Sequence, residues 1–337
     1  MPMTLNDMKA GMADKVAQQV VDTFQRESEI LQVLPFDNTV SPSGGSTLTY
    51  TYMQTKTPAT AAFRALNNEY TAQEATLEKK SADLKIFGGK FGMDRVLKQS
   101  EGRFNNMAFQ MEQKIKAAVS LFHYTLINGD STSRNTEFDG LDKMLANAST
   151  EYNKDGLIDI SDITKLKTNA DQLYEMLQNL IRDTAADALL MNSAMISKIQ
   201  TMARILGYKT ESEEAFGKKV VSMDGVRFMD LKNHYESTGT AKACVPADLQ
   251  RVINSVHESN NQDGLTDIYA VKFDVNDGFH AATITGNSAI SSYVPDWNKP
   301  GAVKEGEVEM VAATVLKNTK HAGVIRNIKL TGTLKTS

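Results

Sequence analysis

EGRFNNMAFQMEQKIKAAVSLFHYTLINGDSTSRNTEFDGL, residues 101–141, is the stretch that decides the fold. Its first part carries apolar side chains at steps of three or four residues, the pattern of one helical face. These positions span roughly 33 Å at about 1.5 Å per residue, well beyond an average globular helix. They are Phe104, Ala108, Met111, Ile115, Ala118, Phe122 and Leu126. We predict one long helix over residues 101–128.

The second part of the stretch predicts how this helix ends. Asn128-Gly129 is a stop signal, and Gly129 suits a left-handed C-terminal cap. A polar loop follows at residues 130–137, and Phe138-Asp139-Gly140-Leu141 leads the chain back. A single long helix with a narrow apolar stripe needs a broad partner, which we expect to be a sheet.

Three segments outside this stretch predict that sheet. Residues 83–93, just before the helix, alternate in polarity, and Gly88-Gly89 among them suggests a bulge or bend. Residues 307–316 and 323–330 near the end of the chain alternate as well. If these three strands pair beneath the helix, residues of about 144–300 form an inserted second domain.

The segments before residue 83 lack a core of their own. Residues 1–34 are predicted to be helical, with too few apolar side chains to fold alone, and residues 46–53 are predicted to form a strand. Residues 54–82 are polar and rich in alanine and threonine, so this long insert should project and find contacts elsewhere. Its charge cluster is either a solvated face or a salt-bridged contact with a neighbouring subunit. The cluster contains Glu74, Glu78, Lys79 and Lys80.

The predicted insertion has mixed structure. Residues 163–181 and 193–206 have helical patterns, the second closed by Gly207, and residues 187–192 form a short buried strand between them. Short strands are expected within residues 217–231, and a strong one at 266–274. This order indicates an α/β or α+β module.

Bulk properties exclude several classes of protein. The chain has 337 residues, enough for two domains, and a net charge of -4 that provides no field for holding nucleic acid. Its one cysteine, Cys244, allows no internal disulfide, which suits a reducing compartment. We expect no signal peptide in the N-terminal segment, and no apolar run is long enough to cross a membrane.

Residues 151–162, EYNKDGLIDISD, are the sharpest candidate for a metal site. They resemble a calcium-binding loop of the EF-hand or dockerin type, with oxygen-bearing side chains at positions 1, 3, 5, 9 and 12 and Gly156 at position 6. However, Glu151 replaces the usual aspartate, Asp162 reaches less far than glutamate, and no good helix precedes the loop. We favour a turn built by Asn153, Asp155 and Gly156, with Ser161 or Asp162 capping the next helix.

No other pattern indicates a reaction. The five histidines show no metal-ligand spacing, and His123 beside the apolar helical face is expected to be a packing residue. Cys244 is expected to be a structural thiol, and neither a nucleophile elbow nor a phosphate loop is present. We therefore predict no catalytic, cofactor-binding or metal-binding residues, and no enzyme. The histidines are His123, His234, His257, His280 and His321.

The order of these parts resembles that of the major capsid proteins of tailed bacteriophages with the Hong Kong 97-like fold. The resemblance lies in an N-terminal arm, a projecting hairpin, and a long helix that ends in Leu126-Ile127-Asn128-Gly129-Asp130 and returns through Phe138-Asp139-Gly140-Leu141. Leu190-Met191-Asn192 before a helix matches the family's axial domain. Encapsulin shells share the fold.

The resemblance implies an α+β Hong Kong 97-like fold and a division of the chain. Residues 1–44 would be the N-terminal arm and 45–84 the extended β-hairpin loop. Residues 85–143 and 301–337 would form the peripheral domain, with the spine helix at 101–128. Residues 144–300 would form the axial domain.

The resemblance also implies a function and partners. The chain would assemble as hexamers and pentamers into the icosahedral shell of a virion, enclosing double-stranded DNA that it contacts non-specifically. Only about 44 residues precede the first strand, so a separate scaffolding protein is expected, together with a portal and possible decoration proteins. Assembly would take place in the bacterial cytoplasm without a membrane. An encapsulin-like compartment and, remotely, a calcium-binding surface module are the alternatives.

Overall fold

A computed structural model describes residues 29–39, 47–95, 106–207, 211–215, 218–236, 238, 240–253, 261–284 and 289–331. The predicted helical arm at residues 1–28 and the first positions of the long helix, 101–105, lie outside these ranges. The helices are α1 (Glu29–Val33), α2 (Asn106–Asn128), α3 (Leu141–Met144), α4 (Ile163–Thr184) and α5 (Ser193–Leu206).

The strands in the first half are β1 (Phe36–Asn38), β2 (Thr49–Thr57), β3 (Thr76–Asp83), β4 (Lys85–Asp94), β5 (Glu151–Tyr152), β6 (Ile158–Asp159), β7 (Ala188–Leu190), β8 (Glu211–Ala215) and β9 (Lys218–Met223). Those in the second half are β10 (Val226–Met229), β11 (Asn233–Tyr235), β12 (Ala241–Ala243), β13 (Leu249–Val252), β14 (Asn261–Val271), β15 (Phe279–Thr283), β16 (Ile290–Tyr293), β17 (Val303–Leu316) and β18 (Ala322–Lys329). No helix within the described ranges is both long and apolar enough to cross a membrane.

The long helix α2 packs on a five-stranded sheet, as its apolar stripe predicted. The sheet has the order β1-β15-β17-β16, with β4 also paired to β17. Met111, Ile115 and Phe122 of the helix are buried in the core beneath it, whereas Ala108 is exposed. The predicted helix is therefore confirmed over residues 106–128, and so is the predicted pairing of residues 83–93 with 307–316.

The prediction for residues 323–330 is wrong, because β18 belongs to a second, nine-stranded sheet. That sheet has the order β5-β18-β14-β7-β10-β9-β8, with β13 on β14 and β6 on β18. Every residue of β18 is buried, so the strand is covered on both faces. The pattern of polar and apolar residues along it therefore does not indicate which sheet it joins. Conversely, β15 and β16, which lie within the predicted insertion, belong to the first sheet.

The predicted bulge at Gly88-Gly89 is also wrong. The β4–β17 ladder pairs Lys85 with Ala312 and Asp94 with Val303 without a shift of register. Gly88 is needed for another reason, since a Cβ there would lie 2.0 Å from the carbonyl oxygen of Val308. The glycine permits a close approach of two backbones rather than an extra residue.

Residues 54–82 are more regular than their composition suggests. β3 pairs with β2 from Thr49↔Asp83 to Thr57↔Thr76, forming the hairpin that the resemblance implied. The strand was missed because TLEKKSAD is polar, and none of its residues is buried. The hairpin tip, residues 58–75, has neither helix nor strand, and every residue in it is exposed.

The second sheet is covered by α4 and α5, whose predicted positions are confirmed. Asp162 caps α4 by accepting from the backbone N–H groups of Thr164 and Lys165, and Asn192 caps α5 by accepting from Met195. Gly207 ends α5 with a φ of 78°, as a left-handed cap. The buried leucines of α4 and methionines of α5 form the second core.

The end of α2 is held by two glycines in close contact with backbone. A Cβ on Gly129 would lie 2.2 Å from the oxygen of Phe138, and one on Gly140 would lie 2.4 Å from the oxygen of Ile127. The N–H of Gly140 donates to the oxygen of Gly129 at 2.8 Å. The predicted left-handed cap at Gly129 is wrong, because its φ is not positive. Glycine is required there to let the return segment lie against the helix.

Gly140→Ala should therefore lower the free energy of unfolding of the unassembled chain by about 2 kcal/mol or more, because backbone must move to admit the Cβ. Gly89→Ala is the matched control, since its Cβ would meet only Lys114 at 3.5 Å, an ordinary contact. Urea denaturation followed by circular dichroism measures both. Equal stability of the two variants would contradict the role given to Gly140.

Candidate functional site

The base of the hairpin is fixed to the end of β17. The Tyr52 hydroxyl donates to the carbonyl oxygen of Leu316, and the Gln54 side-chain amide donates to that of Lys317, each at 3.1 Å. The Lys317 ammonium lies 5.3 Å from the centre of the Tyr50 ring, within range of a cation–π contact. These contacts hold the first residues of β2 against the first sheet.

Tyr50 connects the hairpin to β1 and β15. Its hydroxyl donates to Asp37 at 2.5 Å, and its ring meets His280 edge-on at 5.6 Å between centres. Burial raises the pKa of Tyr50, and the bond to Asp37 raises it further, so the hydroxyl stays protonated. His280 is fully buried beneath this ring, and neither ring nitrogen has a hydrogen-bond partner among the described residues.

Beyond its base, the hairpin presents apolar side chains to solvent. The exposed fraction is 107% for Phe63, 88% for Leu66 and 65% for Tyr70 at the tip. Met53 and Leu77 on the strands are also exposed. Such a concentration of large apolar side chains on one projection is typical of an interaction surface.

The charge cluster on β3 is partly satisfied within the chain. Lys80 pairs with Glu78 at 3.0 Å, and both side chains are about two-fifths exposed. Lys79 and Glu74 are exposed. A surface pair of this kind contributes little to stability, so the cluster is compatible with either interpretation made from the sequence.

A second candidate site is a buried cluster of charges where α3 meets the second sheet. Arg326 on β18 pairs with Glu151 at 2.6 Å, with Asp267 at 3.3 Å, and with Asp142. Burial alone would lower the pKa of Arg326, but the neighbouring acids, led by Asp142, raise it above its usual value. The guanidinium therefore stays charged and joins α3, β5 and β14.

Asp267 is the most enclosed member of this charge cluster. It accepts two hydrogen bonds of 2.6 Å from Arg251 on β13, a bidentate arrangement. The backbone N–H of Asn327 donates to it as well, at 3.1 Å. The Tyr269 hydroxyl donates to Asp142 at 3.0 Å, so every buried charge has polar partners.

An open cleft of about 540 Å³ lies over the charge cluster. Lys143 at its rim pairs with Asp130 at 2.6 Å and Asp139 at 2.8 Å, which anchors the loop after α2. The hydrogen bonds from Lys143 and Ser133 hold the pKa of Asp130 well below its usual range. Acids and bases line the cleft in mixed order, so it has no single sign of charge that would select an ion.

The candidate calcium loop at residues 151–162 is a turn alongside β18. Asn153 has a φ of 56°, and its amide donates to the oxygen of Arg326 at 2.7 Å. The oxygens expected to bind calcium are used internally: Glu151 accepts from Arg326, and Asp159 accepts from Ser161 and Lys165. Asp162 caps α4, as predicted.

Two further residues singled out from the sequence, His123 and Cys244, are buried. Burial lowers the pKa of His123 to about 4, consistent with a packing role. Burial raises the pKa of the Cys244 thiol to about 12, as expected for a structural cysteine. Among the described residues, no three His, Cys, Asp or Glu side chains are placed to hold a metal ion.

The charge cluster was not predicted, because its members are far apart in sequence. The only signals were charges next to large apolar residues in predicted strands, Asp267 within TDIYAV and Arg326 within VIRNIK. A charge in a buried strand must find a partner, although the strand alone does not say which one.

Comparison with known proteins identifies the fold. No protein-family model matches this sequence, and no curated protein matches it. The structure is similar to the holo-SrpI encapsulin complex from Synechococcus elongatus PCC 7942, with a TM-score of 0.58 and 12% identity, covering 89% of this chain and 87% of that one.

Two further solved structures are similar over most of the chain. One, of Mycobacterium phage Bobi, has a TM-score of 0.55 and 12% identity, covering 89% of this chain and 90% of that one. The other, the capsid of the native GTA particle, has a TM-score of 0.53 and 10% identity, covering 91% and 90%. Identities this low carry the fold alone. The chain has the α+β Hong Kong 97-like fold that the resemblance implied.

Arg326→Met should destabilise the unassembled chain by about 3–5 kcal/mol, because it leaves Glu151 buried without its close cation and leaves Asp267 paired with Arg251 alone. Arg182→Met is the matched control, since Arg182 is 70% exposed and its pair with Asp183 should contribute below about 1 kcal/mol. Urea denaturation compares the two variants. A loss at Arg326 no larger than at Arg182 would show that the charge cluster does not join the elements.

The buried histidines should make stability fall as pH falls from about 6.5 to 4. Burial lowers the pKa of both His123 and His280 to about 4, so the unfolded chain binds more protons than the folded chain in this window. Each should contribute a slope of up to about 1.4 kcal/mol per pH unit.

Urea denaturation at several pH values measures this slope in the wild type and in His280→Asn. The variant should lose the contribution of one histidine between pH 4.5 and 6.5. Above pH 7, where an ordinary histidine with a pKa of about 6.5 is already neutral, its stability should show the same pH dependence as that of the wild type. An unchanged slope would mean that His280 is protonated in the folded chain.

Proposed function

We propose that this chain is the major capsid protein of a tailed bacteriophage. It assembles as hexamers and pentamers into the icosahedral shell that encloses the double-stranded DNA genome. The observation that supports this most directly is the hairpin, whose apolar tip at residues 58–75 is exposed throughout on a Hong Kong 97-like fold. A structural role in a shell, rather than catalysis, accounts for such a projection.

The energetics of the hairpin favour contact with other subunits. An isolated two-stranded hairpin is marginal in water, and ordering its residues costs conformational entropy. Beyond the contacts of Tyr50, Tyr52 and Gln54 at its base, the strands bury little of their own surface. Burial between subunits offsets that cost, which makes stability a collective property of the assembly.

The division into domains follows the resemblance. Residues 1–44 are the N-terminal arm, 45–84 the extended loop, 85–143 with 301–337 the peripheral domain, and 144–300 the axial domain. The two sheets exchange strands across these boundaries, since β15 and β16 join the first sheet and β18 the second. The domains are therefore interlocked, and we expect them to move as coupled bodies.

The partners follow from the same proposal. A separate scaffolding protein and a portal direct assembly in the bacterial cytoplasm, and decoration proteins are possible on the finished shell. The net charge of -4 suits a wall that contacts packaged DNA non-specifically and does not grip it. The mature location is the virion capsid, without a membrane.

An encapsulin-like compartment is the second candidate, supported by the similarity to the holo-SrpI encapsulin complex. An encapsulin-like chain would form small uniform shells alone and enclose a cargo protein. A capsid protein is expected to need scaffold and to lie beside portal, terminase and tail genes. Gene order and the size of the particles separate the two hypotheses.

Negative-stain electron microscopy of the chain, expressed alone and with its neighbouring genes, tests the proposal. We expect icosahedral particles, at least in the presence of a scaffold. A small, well-folded oligomer under both conditions would contradict a shell-forming role.

Replacing residues 58–75 with an Asn-Gly turn should abolish stable shells but leave the subunit folded. The new turn would join Thr57 to Thr76, which are already cross-strand partners, so the remaining ladder is kept. Circular dichroism checks folding, and electron microscopy counts particles beside the full-length chain. Normal particles from the shortened chain would show that the tip is dispensable.

A further inference from the structure

The two strands of the hairpin enter the core of their own chain through one side chain. Among the residues of β2 and β3, all of which the structure describes, only Tyr50 is buried. The other contacts at the base, from Tyr52 and Gln54, include single hydrogen bonds to carbonyl oxygens at the end of β17. Withdrawal of the Tyr50 ring would therefore leave the base held by these bonds and by the partly buried ring of Tyr52.

The Tyr50 ring covers a histidine that lacks hydrogen-bond partners. His280 on β15 is fully buried, and neither nitrogen of its ring has a partner among the described residues. Its cross-strand neighbour on β17 is Val315, which has no polar group in its side chain. A neutral imidazole leaves one donor unsatisfied in such a site, whereas an imidazolium leaves two donors and a charge. The site therefore accepts the neutral ring far better than the charged one.

The groups that face His280 oppose its protonation on balance. Burial, followed by the charge of Lys317, lowers the pKa of His280 to about 4. The Gly278 backbone, Asp37 on β1 and Asp274 in the turn before β15 act in the opposite direction and do not offset the burial. The charged ring is therefore stable only where water can reach it, which requires the tyrosine above it to leave.

We propose that Tyr50 and His280 form a proton-sensitive latch at the base of the hairpin. When the His280 ring takes up a proton, the Tyr50 side chain leaves the core, water reaches the imidazolium, and the base of the hairpin is released from the first sheet. The reverse also holds, because the two equilibria are linked: withdrawal of Tyr50 makes His280 a stronger base. The latch acts within one chain, so it goes beyond the proposed shell function and does not depend on it.

Linkage determines how steeply the latch opens with falling pH. A histidine exposed by the opening should titrate near its ordinary pKa of about 6.5, whereas the pKa is about 4 with the latch closed. The open state thus binds more protons, and the equilibrium constant for opening should rise by up to about tenfold per pH unit as pH falls through this window. The total increase should approach roughly 300-fold, and above about pH 7 the constant should be independent of pH.

Amide hydrogen exchange of the unassembled chain, read by mass spectrometry from about pH 4.5 to 7.5, measures the opening. A released hairpin is marginal by itself, so the amides of residues 49–54 should exchange faster. After correction for the intrinsic pH dependence of exchange, the rate should rise by up to about tenfold per pH unit below pH 6.5 in the wild type. His280→Asn should remove that rise.

The amides of α4, which covers the second sheet, are the internal control for this experiment. Their exchange should rise less steeply than that of residues 49–54, because the latch opens locally. Equal acceleration of both segments would mean that the whole chain unfolds. A rise that persists in His280→Asn would assign the proton to another group. Either result overturns the latch.

The reciprocal effect is tested without replacing His280. Tyr50→Phe keeps the ring but removes the hydrogen bond to Asp37, so the latch should weaken and the midpoint of the His280 titration should rise by about one pH unit. Tyr152→Phe is the matched control, since it removes a tyrosine–aspartate bond to Asp183 beside the second sheet and should leave the midpoint unchanged. Nuclear magnetic resonance of the histidine-labelled chain measures the midpoint. An unchanged midpoint in Tyr50→Phe, or an equal rise in both variants, would overturn the coupling.

Discussion

The close contact between the return segment and the last turn of α2 is the constraint on which the rest of the structure depends. Gly129 and Gly140 bring the two backbones together, and Phe138 then meets Phe122 of the helix at 5.8 Å between ring centres. The hydroxyl of Thr314 on β17 donates to the oxygen of Asp139 at 2.8 Å. One short segment thus joins helix α2 to the first sheet.

The same segment reaches the second sheet through α3. Gly140 precedes α3, and Asp142 in that helix pairs with Arg326 of β18. Arg326 in turn binds Asp267 and Glu151. The backbone position of Gly140 therefore determines whether Asp142 of α3 reaches the buried guanidinium of Arg326. Buried ion pairs are weak sources of net stability, but they require one arrangement of their partners. The charge cluster therefore fixes the position of α3, which follows the return segment directly, on the second sheet.

The sequence predicted the parts of the fold that depend on local periodicity. Helix α2, helices α4 and α5, and the β4–β17 pair followed from apolar spacing, and the order of parts indicated the family of folds. Errors arose where distant chain segments decide the outcome. β18 is buried on both faces, so its pattern could not name its sheet, and β3 is polar because solvent covers it. A bulge was predicted at Gly88 and a left-handed cap at Gly129, whereas each glycine allows two backbone segments to approach closely. The charge cluster could be recognised only in the tertiary structure, because its members are far apart in sequence.

The exposed tip at residues 58–75 contributes no side chain to either core of its own chain. In a shell of many copies, a chain with a defective tip would therefore fold normally. Chaperones and proteases that act on unfolded subunits would not remove it. Such a chain would enter mixed assemblies and spoil the junctions of its neighbours. Mutations at the tip should thus behave as dominant inhibitors in a mixed population, whereas mutations at the glycine contact would remove only the chain that carries them.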